Sequence, residues 1–226
     1  MLLLAFDTST SAVTVALHDG HSLLAETTRV DSRAHGELLA PGLAQAMDTA
    51  RVRPEQLTDI VCGLGPGPFT GLRVGIVTAR TLALVTGARL HGVCSLDAVA
   101  YDAAGGLPSG TELLVATDAR RKEVYWARYA VGEPGAPRVA TITAPAVNRP
   151  DDLPDDVREL PTAGRGPHVY ADLFPNPVPP LDVSAAALAE LTAYRLAAGA
   201  PMPPGEPLYL RRPDAAPNVA AKSALG

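Results

Sequence analysis

The stretch LLLAFDTST (residues 2–10) decides the fold, because a similar stretch, LLVATDARR, follows in the second half of the chain at residues 113–121. Each copy is an apolar run with the length of a buried strand, and each ends in an aspartate. The same residues recur at a constant spacing of 111 positions, which continues into the next predicted strand. The matched pairs are Leu2 and Leu113, Leu3 and Leu114, Ala5 and Ala116, Asp7 and Asp118, Val13 and Val124, and Ala16 and Ala127. The shared aspartate favours an internal duplication over chance, and the two units would then face each other with both aspartates near a common cleft.

Around this stretch the sequence predicts a mixed sheet with helices on both faces. Three strands open the chain, and Asp19-Gly20 predicts a two-residue hairpin between the second and the third. Ser32 is the predicted N-cap of the first helix, after which strands and helices alternate. The predicted strands are 2–6, 12–17, 21–28, 60–64 and 90–94, and the predicted helices are 32–50, 72–85, 95–104 and 184–198. This order resembles the ribonuclease H-like unit of actin-like ATPases, so the expected fold class is α/β, a duplicated ribonuclease H-like (ASKHA) fold with two mixed-sheet subdomains.

Three regions follow from this organisation. We expect an N-terminal subdomain over residues 1–104 that carries the dimerisation helices. A reduced second subdomain should cover residues 105–215, and residues 216–226 should form a flexible tail.

Composition limits the classes of function. The 226 residues are 47% hydrophobic with a formal net charge of −5, so the chain can build a core but lacks the basic face of a protein that grips nucleic acid alone. Its two cysteines are typical of a reducing compartment, and we expect a cytoplasmic protein. The opening MLLLAF predicts a strand rather than a signal peptide, and no stretch reaches the ~18 apolar residues of a membrane span.

The segment from Asp7 to Ser11 has two interpretations. An aspartate at a strand end, followed by hydroxyls such as those of Ser9 and Thr10, can hold a metal–phosphate group in actin-like ATPases. A Ser/Thr turn that satisfies its own backbone amides is the simpler alternative. Asp118 favours the alternative, because residues 119–122 (ARRK) contain none of the glycines that a second phosphate loop needs. We therefore expect at most a vestigial nucleotide cleft, and no bound cofactor. Its residues would be Asp7, Ser9, Thr10 and Asp118.

His35 is the remaining candidate for catalysis or metal binding. A zinc pair on a helix needs a second histidine four residues later, and that position is Leu39. Neither cysteine has a partner at ligand spacing, so we expect no metal. Two rival functions stay open: an active ATPase or small-metabolite kinase of the same fold that uses Asp7 and Asp118, and, less favoured, a metallopeptidase built on His35.

The glycine-rich stretch GLGPGPFTGLRVG (residues 63–75) fits neither a P-loop nor a dinucleotide loop. In the helix that follows, Gly71, Gly75, Ala79 and Ala83 recur every four residues, and we call them the small-residue stripe. Such a stripe lets another helix backbone come close, so we expect a partner to pack on it. We expect this self-complementary patch to form a two-fold homodimer. The predicted interface residues are His35, Leu39, Leu43, Met47, Leu72, Gly75, Ile76, Ala79, Leu82 and Ala83.

Five motifs resemble the TsaB (YeaZ) family. They are LLLAFDTST (2–10), HGELLAP (35–41), GPGPFTGLRVG (65–75), DARRKEVYWA (118–127) and PLYLRRPDA (207–215). The resemblance implies an actin-like fold that has lost catalysis and acts as a pseudo-enzyme partner of the catalytic paralogue TsaD. With a TsaE-type ATPase, that pair makes the threonylcarbamoyl-adenosine next to the anticodon of tRNA. It also implies a homodimer in isolation and tRNA contact only through the complex. Pro68 stands where the family usually has serine, which removes a hydroxyl but keeps a turn.

Overall fold

The computed structural model describes residues 1–203 and 205–211; the predicted tail at 216–226 lies outside the described residues. The strands are β1 (Leu3–Asp7), β2 (Ala12–His18), β3 (Leu23–Val30), β4 (Asp59–Gly63), β5 (Arg89–Val93), β6 (Glu112–Asp118), β7 (Val124–Val131), β8 (Val139–Thr141), β9 (Ala146–Asn148) and β10 (Thr162–Ala163). The α-helices are α1 (His35–Ala50), α2 (Phe69–Thr86), α3 (Ser95–Ala103), α4 (Asp155–Arg158), α5 (Gly166–Val169) and α6 (Ala185–Ala197). Short 3₁₀ turns occupy Pro54–Gln56, Ala104–Gly106 and Pro150–Asp152.

The first sheet has the strand order β3-β2-β1-β4-β5, with β1 at its centre. Strands β1, β4 and β5 are parallel, and β1, β2 and β3 are antiparallel, as predicted. Every residue of β1 is buried because helices cover both faces. Leu4 and Phe6 pack in the core that includes residues of α1 and α2, whereas Leu3 and Ala5 pack in the core that includes residues of α3 and α6.

The second sheet repeats the first in reduced form. Its order is β10-β6-β7-β8, in which β10 is parallel to β6 just as β4 is parallel to β1. The duplication and the two mixed-sheet subdomains are therefore confirmed. Sequence analysis missed β8, β9 and β10, because strands of only two or three residues carry no readable alternation.

The constant spacing of 111 positions does not extend to the strand pairing. Ala5 pairs with Ala16 in the first sheet, but Ala116 pairs with Trp126 in the second, one residue before the matched Ala127. The paired residues at the turn, Asp7 with Thr14 and Asp118 with Val124, are thus one residue closer in sequence in the second unit, and a one-residue shift moves side chains to the opposite face of a strand.

Helix α6 belongs to the second half of the sequence but packs on β1 and β2 of the first sheet. Ser184 caps it, since its hydroxyl accepts a hydrogen bond from the Ala187 N–H at 3.1 Å. The Ala185 N–H donates to Oγ1 of Thr14 at 3.0 Å, which ties the start of α6 to β2. A boundary at 104/105 thus separates the strands of the two sheets, while α6 returns to the first.

Two local predictions are wrong. Helix α1 begins at His35 with Ala34 at its N-cap and no side-chain cap, so Ser32 has no capping role. The β2–β3 connection has four residues, and its Asp19 carboxylate accepts the backbone N–H groups of His21 and Ser22. Asp19 therefore closes an Asx-type turn rather than a two-residue hairpin.

Within residues 1–203 and 205–211, α2 is the one helix that could cross a membrane by length and composition, with a mean hydropathy of 1.2. The sequence had predicted no such stretch. One such helix is weak evidence for a membrane span, and α2 buries one side against the chain while it carries Arg73 and Arg80 on its exposed side.

Candidate functional site between the two sheets

Asp7, at the end of β1, is sealed inside the protein. Its Oδ1 accepts hydrogen bonds from the Ser9 N–H at 2.6 Å and the Ser9 hydroxyl at 2.7 Å, and its Oδ2 accepts the Ser95 hydroxyl at 2.5 Å. Burial raises the pKa of Asp7, while the hydrogen bonds from Ser95 and Ser9 act in the opposite direction. A Cβ on Gly63 would lie 1.6 Å from Oδ2, so glycine leaves the space that this carboxyl group fills. The carboxyl group is therefore engaged by its own chain.

Ser95 connects this aspartate to the glycine-rich loop. It is the first residue of α3, and its Oγ also accepts the N–H of Gly65 at 3.0 Å. Gly65 has a φ of 84°, which favours glycine. The loop conformation is thus set from within the chain.

The small-residue stripe faces the chain's own β1–β2 turn rather than a partner, which corrects the prediction. A Cβ on Gly71 would lie 2.5 Å from the Thr8 carbonyl oxygen, and one on Gly75 would lie 2.5 Å from the Thr8 hydroxyl. That hydroxyl donates to the Gly71 carbonyl at 2.8 Å. Ala79 is fully buried, so the first three positions of the stripe belong to the interior.

Most of the other predicted interface residues are also interior. The buried members are His35, Leu39, Leu43, Leu72 and Ile76, and the partly buried ones are Met47, Leu82 and Ala83. α2 also carries exposed apolar side chains that sequence analysis did not name as interface residues: Phe69 is 43% exposed, Val77 59%, Leu84 85% and Val85 77%. Of these, Val77 and Leu84 lie seven residues apart and so share one face of the helix, opposite the buried stripe.

A narrow cleft separates the two sheets and contains several of the predicted nucleotide residues. Ser9, Thr10 and Asp118 line it together with His35, whereas Asp7 is not part of its wall. Its other lining residues are Ser11, Ser32, Pro68, Thr117, Arg120, Arg165 and Leu181. The cavity volume is about 70 Å³, well below the ~300–1,000 Å³ of small-molecule sites.

The side chains of His35 and Arg165, which line this cleft, form hydrogen bonds to other residues of the chain. Nε2 of His35 donates to the Thr10 carbonyl at 2.8 Å, which positions the β1–β2 turn. Arg165 donates to both carboxylate oxygens of Asp182, at 2.8 and 2.6 Å. These contacts stabilise the walls of the cleft.

The turn after β6 has an unusual backbone. Arg120, Arg121 and Lys122 have φ values of 61°, 53° and 63°, in the left-handed region where each non-glycine residue costs roughly 1–2 kcal/mol. The Asp118 carboxylate accepts the Arg120 N–H at 2.8 Å, and Glu123 N–H donates to the Arg120 carbonyl at 3.0 Å. Sequence analysis identified the absence of glycine here but not the left-handed turn.

Metal-binding groups are not clustered in the part of the chain that the structure describes: it contains no group of three His, Cys, Asp or Glu residues that could hold an ion. Burial raises the pKa of both Cys62 and Cys94 to about 12, so these thiols stay protonated at neutral pH.

The sheet order, its reduced repeat and the cleft between the repeats define a protein of the actin-like ATPase fold. Residues 24–195 match the model of the family TsaD: tRNA N6-adenosine threonylcarbamoyltransferase. The solved structure of YeaZ from Pseudomonas aeruginosa is 30% identical, with a TM-score of 0.75 over 92% of this chain and 99% of that one. The chain therefore belongs to the TsaD family, within its YeaZ/TsaB group.

Two curated proteins show how far the similarity extends, and the name of the second agrees with this assignment. An uncharacterized protein of Mycobacterium leprae is 42% identical over 97% of this chain, and the match covers 57% of that protein. The tRNA threonylcarbamoyladenosine biosynthesis protein TsaB of Escherichia coli is 36% identical over 60% of this chain. The chain spans 58% of the E. coli protein's length.

Proposed function

We propose that this protein is a non-catalytic subunit in the threonylcarbamoyl-adenosine modification of tRNA, acting in the cytoplasm as the partner of a TsaD-type transferase and a TsaE-type ATPase. Family membership and the name of the E. coli relative support the pathway. The main support for the non-catalytic role is that both carboxylate oxygens of Asp7 accept hydrogen bonds from Ser9 and Ser95.

Nucleotide hydrolysis would need an acidic group open to a metal–phosphate and loops that close around it. Asp7 is buried and Arg120 approaches Asp118 at 3.4 Å. The cleft that Asp118 lines measures about 70 Å³. These observations do not favour the rival function of an ATPase or kinase. They do not favour a metallopeptidase either, because Nε2 of His35 is hydrogen-bonded to the Thr10 carbonyl oxygen.

The exposed side of α2 supports the partner role. Val77 and Leu84 are apolar, solvent-facing and on one helix face. Exposed apolar surface of this kind marks interaction sites on soluble proteins. We therefore assign this outer face of α2 to the TsaD-type partner, and to a second copy of the chain when the partner is absent, so that homodimer and heterodimer exclude each other.

Reconstitution tests the proposal. The purified chain, mixed with TsaD-type and TsaE-type proteins of the same cell, should co-elute with the TsaD-type protein and support formation of the modified adenosine in a tRNA transcript. The chain alone should release no phosphate from ATP. Phosphate release near 1 per second that is lost in Asp7→Ala would refute the non-catalytic role. Full modification in the absence of this chain would refute the subunit role.

A further inference from the structure

A second cavity, about 300 Å³ in volume, lies beside the cleft where residues 205–211 cross from one sheet to the other. The Leu208 N–H donates to the Leu64 carbonyl at 2.8 Å, next to β4. Nη1 of Arg211 donates to the Ala119 carbonyl at 3.2 Å, next to β6. We call this cavity the aromatic pocket; it is lined by residues 67–69, 119–120, 125 and 208–211.

Two aromatic rings border the pocket while remaining open to solvent. Phe69 and Tyr209 have ring centroids 5.3 Å apart and planes tilted by 33°. Their side chains are 43% and 44% exposed, so the ring pair still offers an aromatic surface to a ligand. Exposed aromatic rings bind nucleobases by stacking, irrespective of base identity.

Cationic groups surround this ring pair. Arg120 and Arg211 line the pocket, and none of the described residues that line it is acidic. The guanidinium of Arg73 lies 4.0 Å from the centre of the Phe69 ring. Asp118 and Glu123 pair with Arg120 and Arg211 without lining the cavity. In a chain of net charge −5, this local group of cations is complementary to phosphate.

We propose that the aromatic pocket holds one unpaired nucleotide of the RNA substrate, with its base against Tyr209 and Phe69 and its phosphate near Arg120 and Arg73. The cavity has room for one nucleotide and not for a duplex. Because the chain as a whole is acidic, we expect the pocket to add one RNA contact within the complex and not to bind RNA tightly on its own. The inference rests on the proposed function, which supplies the RNA.

The test is a titration of a fluorescent tRNA transcript with the complex of this chain and its TsaD-type partner, followed by anisotropy at several salt concentrations. Tyr209→Leu should weaken RNA binding roughly 5- to 100-fold, the loss expected for one stacked base. Tyr209→Phe, which keeps the ring, should bind within about twofold of the unaltered protein. Arg120→Gln should reduce the slope of log affinity against log salt by about one.

Matched controls lie outside the pocket. Tyr194 is 43% exposed on α6, and Tyr194→Leu should leave RNA affinity unchanged, as should Arg149→Gln. Unchanged RNA affinity in Tyr209→Leu would overturn the inference. Loss of co-elution with the partner in Tyr209→Leu, but not in Tyr194→Leu, would assign the pocket to a protein contact instead.

Two further outcomes separate the possible failures. Binding of AMP that depends on Tyr209, without any such dependence for tRNA, would make the pocket a free-nucleotide site and also overturn the inference. If the unaltered chain does not co-elute with the TsaD-type protein, the proposed function fails. The inference, which rests on that function, then fails with it, whereas co-elution combined with unchanged RNA affinity in Tyr209→Leu overturns the inference alone.

Discussion

The Ser95 hydroxyl donates to Oδ2 of Asp7 at 2.5 Å, joining the first residue of α3 to the last residue of β1 across 88 positions of sequence. The Ser9 amide and hydroxyl bind the other carboxylate oxygen. These contacts make Asp7 a structural centre of the first unit. It connects the β1–β2 turn, the glycine-rich loop and α3.

Ser95→Ala should destabilise the protein by roughly 1–3 kcal/mol, because it leaves one buried oxygen of Asp7 and the Gly65 N–H without a partner. Urea denaturation followed by circular dichroism measures the free energy of unfolding. Ser109→Ala, in the exposed turn before β6, is the control and should change it by less than about 0.5 kcal/mol. Equal stability of both variants would contradict the structural role of Asp7.

Gly63→Ala should destabilise the fold by roughly 3 kcal/mol, because its Cβ would lie 1.6 Å from Asp7 Oδ2 and force the packed centre apart. Gly106→Ala is the matched control, since a Cβ there has no heavy atom within 4 Å. Thermal unfolding should show a lower Tm for the first variant and an unchanged or higher Tm for the second. A Gly63→Ala protein with unchanged Tm would show that Asp7 does not occupy this space.

The two sides of α2 should respond differently to a new charge. Ala79→Arg places an unpaired charge in the interior at a cost of about 3–5 kcal/mol, so we expect loss of the folded state. Val77→Arg should stay folded but weaken association with the partner by ~10-fold or more. Circular dichroism and size-exclusion chromatography separate the two effects.

Val30→Arg controls this comparison, because Val30 is similarly exposed on β3, away from α2. It should stay folded and retain the partner. A folded Ala79→Arg protein that no longer associates would restore the small-residue stripe as the interface. A Val77→Arg protein with unaltered association would place the interface elsewhere.

Asp59 should make stability depend on pH in the acid range. Burial tends to raise the pKa of Asp59, but hydrogen bonds from His91, Arg89 and Thr58 outweigh it and hold that pKa below its ordinary value of 3.8. A lowered pKa in the folded state means that the stabilisation is present above pH 3.8 and is lost as the pH falls below it. Asp59→Asn should therefore flatten the fall in unfolding free energy below about pH 4. Denaturation series from pH 2 to 7 measure this, and an equally steep fall in the variant would contradict it.

The sequence by itself determined the order of elements in the first unit and the first two strands of the second. These predictions rest on local patterns: the apolar runs in Leu3–Asp7 and Glu112–Asp118, and the helical periodicity of α1. Such patterns can be read without knowing which segments pack next to each other. The repeated aspartate identified the duplication for the same reason. The tertiary structure decided which residues of β6 and β7 pair. The identities shared by the two halves of the chain do not reveal that the paired residues are one position closer in the second unit.

Only the tertiary structure decided which surface of α2 is free. The small-residue stripe is compatible with a partner helix or with the chain's own backbone, and Thr8 occupies it from 63 positions away. Likewise, the sequence around Asp7 does not reveal whether its carboxyl group faces a ligand or the Ser95 hydroxyl. Which groups approach a residue depends on contacts between distant segments, and these form only when the two sheets and their helices pack together.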